Sequence, residues 1–120
     1  MSTAMASLLA IVEGRSSDAV ALLAAQTRIP DAEMLFYCAR HHARLDRPDR
    51  AISAIEQASE DGFACSPQTL RLDPWLASVR AHPGYPALLR QAEKLTSEAQ
   101  SLWSAQGLPF AAHPTPAPAG

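Results

Sequence analysis

Helix-start and helix-stop signals recur at short intervals along this chain and divide it into a series of helices joined by tight turns. Ser2 or Thr3 is placed to cap a first helix carrying Met5, Leu8, Leu9 and Val12 at helical spacing, and Gly14 is placed to end it. Ser16 or Ser17 opens a second helix with Asp18 in its first turn and Ala19, Val20, Leu22 and Leu23 as its apolar set; Arg28 lies near its end and Pro30 stops it. Asp31 caps a third, whose expected inward stripe is Leu35, Cys38, Ala39, His42 and Leu45. Pro48 suits the first position of a fourth, in which Ala51, Ile52, Ile55 and Ala58 form one face before Asp61 and Gly62. Ser66-Pro67 and Asp73-Pro74 each set a capping residue before a helix-opening proline, which predicts two short helical turns. After His82-Pro83-Gly84 the longest helix is expected, from about Tyr85 to Gln106, with Leu88, Leu89, Ala92, Leu95, Ala99, Leu102 and Trp103 as its stripe and Gly107 closing it.

Composition agrees with an all-α class. Leu and Ala carry most of the apolar content, whereas Val and Ile together supply only seven residues. A chain of 120 residues suits one helical domain, expected over 1–107, followed by a Pro- and Ala-rich tail over 108–120 whose prolines predict disorder. Ten Lys plus Arg against twelve Asp plus Glu, with no basic cluster, argues against nucleic acid. Apolar runs such as Ala19 to Ala25 are far short of the ~20 residues that span a bilayer, so no membrane anchor is expected. No basic residue precedes the first apolar run and only two cysteines occur, Cys38 and Cys65, which together favour a cytoplasmic setting with reduced thiols.

Leu35, Cys38, Ala39 and His42, followed by Leu45-Asp46-Arg47-Pro48-Asp49-Arg50-Ala51 and then Ile55 and Ala58, resemble a tetratricopeptide repeat of about 34 residues. An earlier, shortened copy is visible in Glu13 to Ala19 with Leu23. Asp73-Pro74-Trp75-Leu76-Ala77-Ser78-Val79-Arg80, with Pro83, Tyr85, Leu88 and Leu89, is similar to the closing segment of tetratricopeptide arrays in large bacterial regulators and kinases. The resemblance implies short antiparallel helical hairpins that build a superhelical scaffold, and a non-enzymatic module that binds a protein or peptide partner. In the family the groove is lined by the first helix of each hairpin, which implies a partner-binding face of Glu33, Phe36, Arg40 and Arg44, with Phe36 and Arg40 gripping an extended peptide through apolar contact and a bond to a carboxylate. The competing expectation packs Phe36 under the first hairpin and leaves the arginines solvated.

Two other readings stay open. Cys38, His41 and His42 would serve a small helical metal-binding protein or enzyme, since Cys38 and His42 are four residues apart on one helical face; Cys65, His82 or a carboxylate would have to complete a metal set. No glycine-rich elbow or phosphate loop accompanies them, so neither catalysis nor a cofactor is expected. Asp46, Asp49, Glu56, Glu60 and Asp61 fit solvated helix faces beside Arg47 and Arg50. Trp75, Tyr85 and Trp103 are expected to anchor cap and core. The remaining reading is a structural homo-oligomer, because two hairpins and a cap are fewer than the about three units such arrays need.

Overall fold

The computed structural model of the protein describes residues 2–26 and 31–107. These form seven α-helices, α1 (Thr3–Val12), α2 (Ser16–Ala25), α3 (Ala32–Arg44), α4 (Pro48–Glu60), α5 (Pro67–Leu72), α6 (Ala77–Arg80) and α7 (Tyr85–Ala105), and a 3-10 turn at Pro74–Leu76, with no strand among them. The stop expected at Pro30 and the tail expected over 108–120 lie outside the described residues.

Local chemistry sets most boundaries. The side chains of Ser2, Asp31 and Ser66 accept hydrogen bonds from the amides of Met5, Met34 and Thr69, and so satisfy a free N–H at the starts of α1, α3 and α5. Asp73 does the same for Trp75 at the 3-10 turn. The starts of α2 and α4 have no side-chain cap; α4 opens on Pro48, which has no amide hydrogen to satisfy.

Three helices end in one way. The amide five residues on returns to the carbonyls of Ala10, His42 and Ala58, and the residue before it takes a left-handed backbone at Gly14, Asp46 and Gly62. Asp46 is the exception in chemistry, holding φ of 58° with a side chain where the other two helices use glycine. Asp46→Gly is expected to raise the unfolding free energy by about 0.5 kcal/mol in urea titrations.

Packing is layered along the chain. α1 lies on α2 and α3 on α4, α3 also touches α1 and α2, and the segment from the 3-10 turn through α6 closes over α3 and α4. The larger core gathers Phe36, Ala39, Ala51, Ile55, Leu70, Leu76, Val79 and Leu88 between α3 and α7. A smaller one joins Ala4, Leu23 and Cys38, with Met34 and Leu45 packed against it.

Three expected stripes are corrected. In α1 the buried face is Ala4, Ser7 and Ala10, while Met5, Leu9 and Val12 are exposed, because small side chains let the α1 backbone approach α3 closely. In α2 only Ala19 and Leu23 are buried and Leu22 is exposed. In α3 the fully buried imidazole is His41 instead of His42, and Leu35 and Leu45 are half-buried. The α4 face of Ala51, Ile52, Ile55 and Ala58 is buried as its spacing predicts. No helix among the described residues is long and apolar enough to cross a membrane.

Candidate functional site: the outer strip of α3 and the Trp75 turn

Residues three and four apart on a helix stack into one line. On α3 that line is Glu33, Tyr37, Arg40 and Arg44. Phe36 does not belong to it. It turns inward and packs on Phe63, the ring centroids 5.4 Å apart, so its place on the surface is taken by the neighbouring Tyr37, whose hydroxyl donates to Glu33 Oε1 at 3.0 Å. That bond holds the Tyr37 hydroxyl above its ordinary pKa, since ionising it would set two negative charges together.

Arg40 is half-buried and paired. Its Nε donates to Asp73 Oδ2 at 2.7 Å and its Nη2 to Asp73 Oδ1 at 3.4 Å, while the guanidinium carbon stands 5.1 Å from the centre of the Trp75 ring. Two-point pairing with a carboxylate and an aromatic face is what a planar guanidinium favours. Asp73 therefore serves twice, capping the turn that presents Trp75 and binding the arginine beneath it. Arg80 donates to the carbonyls of Leu70 and Asp73 and Ser78 donates to the Ala43 carbonyl, which tie this turn to α5 and to the end of α3. Arg44 is exposed and has no ion-pair partner among the described residues, and it borders an open cleft of about 500 Å³ with Ser16, Ser17 and Leu45. The strip thus offers the Glu33-bound phenol, one half-buried indole and, at Arg44, a cation without an ion pair in a cleft that Asp46 also lines.

Behind the strip lies a polar pair that helical periodicity does not reveal. Ser7 and His41 are both buried, with Ser7 Oγ 2.6 Å from His41 Nδ1 and donating to the Ala4 carbonyl at 3.2 Å. A serine hydroxyl has a single hydrogen, so with that hydrogen on Ala4 it accepts from Nδ1–H of His41. The imidazole packs at 5.8 Å from Trp75. Burial, then the charges of Arg40 and His42, lower the His41 pKa to about 4, which keeps the ring neutral. The pair resembles a nucleophile and its base in composition only: Ser7 has no exposed surface, and no carboxylate orients the imidazole among the described residues.

Cys38, His41 and His42 do not form a metal-binding group. Cys38 sits in the small core, where burial pushes its thiol up and disfavours the thiolate a metal or nucleophile needs. His42 lines an open cleft with Leu23, Asp49 and Arg50, its Nδ1 buried without a hydrogen-bond partner among the described residues. Burial, then Arg50 and Arg47, lower its pKa. Cys65 is buried elsewhere, its thiol pushed up to about 12 by burial and by Asp73. No group of three or more His, Cys, Asp or Glu among the described residues is placed to hold a metal ion. Trp103, expected in the core, is exposed on α7. No family model matches the chain, and no curated protein and no solved structure shows significant similarity to it.

Proposed function

We propose that the chain is a non-enzymatic protein-binding module of tetratricopeptide-like build whose contact strip is Glu33, Tyr37, Arg40 and Arg44 on α3, extended by Trp75. The observation that carries this reading is the display of Tyr37, Arg40 and the unpaired Arg44 along one face of α3, with Trp75 of the adjoining 3-10 turn against Arg40. Tyr, Trp and Arg are the residue types that dominate binding energy at protein interfaces, and Tyr37 and Arg40, already held by Glu33 and Asp73, lose little entropy on binding. Supporting the repeat-like build, α3 touches both helices of the preceding pair, and Ala39, Ala51 and Ala58 are buried where α3 and α4 meet. Phe36 contributes from below by fixing Tyr37, not by touching a partner.

The partner class that suits the strip is a protein or extended peptide bearing a carboxylate for Arg44. With the purified protein as bait, Tyr37→Ala combined with Arg44→Glu is expected to weaken capture of bound proteins by about tenfold or more, as loss of two anchors each worth over ~1 kcal/mol implies. Both side chains are exposed, so folding is retained. The same proteins captured at the same yield by both baits would refute the reading.

A further inference from the structure

We propose that the half-enclosed cavity between α4, α5 and α7 is a binding site for a small primary amine with a compact apolar body. Glu56 and Glu60 hold the ammonium at the mouth, and the body seats on Ile55, Leu70, Leu88 and Ala92. The site shares no residue with the α3 strip and goes beyond the protein-binding reading.

Protein interiors leave few voids larger than a water molecule, so a cavity of about 260 Å³ in a chain of 120 residues is unusual. It persists because Ser59 on α4 and Ala87 and Ala92 on α7, which face it where the two helices meet, are too short to close the gap. Ile55, Leu70, Leu88 and Ala92 are buried and form the inner wall together with Cys65. Glu56, Glu60, Ala87 and Gln91 are exposed and frame the mouth. The depth is therefore apolar and the entrance polar, the usual arrangement of a small-molecule site. A cavity of ~150 Å³ lined by aliphatic side chains takes up benzene, so this one has room for a ring and a short arm.

Charge at the mouth selects the other end of the ligand. Glu56 and Glu60 stand one turn apart on α4, both line the cavity, and neither forms an ion pair among the described residues. No lysine, arginine or histidine lines the cavity among the described residues. Like charges at this spacing repel, and a cation set between them removes the repulsion and gains two attractions. An anion of the same shape would meet both carboxylates, and a neutral ligand would gain nothing from them.

The kind of cation follows from the lining. A primary ammonium carries three N–H donors, which suit two carboxylates and the side-chain oxygens of Ser59 and Gln91. A quaternary ammonium has no donor and is held by aromatic faces, and no aromatic residue lines this cavity among the described residues. 2-Phenylethylammonium matches both ends of the site. With about nine non-hydrogen atoms it is expected to bind with a dissociation constant in the millimolar range or somewhat below.

Amide NMR titrations of the full chain at neutral pH with 2-phenylethylammonium, 2-phenylethanol and 3-phenylpropanoate separate the charged part of the site from the apolar part. The ammonium is expected to saturate below about 10 mM and to bind at least about fivefold more tightly than the alcohol, with the carboxylate weakest. The shifts should centre on residues 55–65 and 87–95. Glu56→Gln combined with Glu60→Gln is expected to bring the ammonium down to the affinity of the alcohol and to leave the alcohol unchanged. Ala87→Trp, which closes the mouth, is expected to abolish binding of both. All three positions are exposed, so circular dichroism should be unchanged in these variants. The proposal is overturned if the ammonium does not saturate below about 10 mM or binds no better than the carboxylate. It is equally overturned if ammonium affinity survives the paired glutamate substitutions or Ala87→Trp. None of these results bears on the α3 test, because Tyr37 and Arg44 lie outside the cavity.

Discussion

Leu76→Ala is expected to lower the unfolding free energy by about 3 kcal/mol, enough to remove a large share of the stability of a domain this size. Leu76 closes the 3-10 turn with no exposed surface and packs in the larger core with Leu70, Val79 and Ile55. What sets its cost is how far the site can collapse around a shorter side chain, and here collapse is resisted on three sides. Asp73 is held to Arg40, Arg80 is bonded to the Leu70 and Asp73 carbonyls, and Ser78 is bonded to the Ala43 carbonyl, so the turn cannot follow the lost methyls inward. Leu102→Ala is the contrast: the same chemical change at a side chain 64% exposed is expected to cost under about 0.5 kcal/mol. Urea titrations of both variants measure the difference. A Leu76→Ala cost below about 1 kcal/mol would mean that residues 66–80 do not form part of the cooperative core.

The elements that were legible in the sequence are those decided within one turn of chain. Ser2, Asp31, Ser66 and Asp73 reach amides two or three residues away, and Gly14, Gly62 and Gly107 supply the left-handed backbone that ends a helix, so caps and stops could be read from residue type alone. The α4 face was legible because Ile52 and Ile55 outweigh every other choice of face. Faces chosen by a distant neighbour were not. In α1, apolar spacing favours Met5, Leu9 and Val12, yet the helix turns Ala4, Ser7 and Ala10 inward, since only small side chains allow the approach that pairs Ser7 with His41. In α3, Phe36 and Tyr37 sit about 100° apart around the axis, and it is Phe63, beyond α4, that selects which ring goes inside. The Arg40–Asp73 pair joins residues from opposite sides of two helices, and nothing in the local sequence of either marks it.

Acidification is expected to destabilise the fold through His41 by up to roughly 3 kcal/mol. The direction follows from where the proton binds. The folded chain holds His41 neutral down to about pH 4, whereas the unfolded chain takes up a proton near pH 6.5, so in the window between these values the unfolded state binds more protons. The stabilisation due to neutral, buried His41 is therefore complete above pH 6.5 and is lost as pH falls through 6.5 toward 4. His42, whose pKa is also lowered by burial, adds a loss of the same sign. The His41 part is isolated by substitution. His41→Asn retains an N–H close to the position of Nδ1, able to donate to Ser7, and cannot titrate. Urea midpoints at pH 7.5, 6, 5 and 4 should fall steeply for the native chain and clearly less for His41→Asn, even though the variant begins lower at pH 7.5 because a smaller side chain fills the site beside Trp75. Parallel slopes would show that His41 takes up its proton with little cost in the folded state, and that the Ser7–His41 pair is open to water.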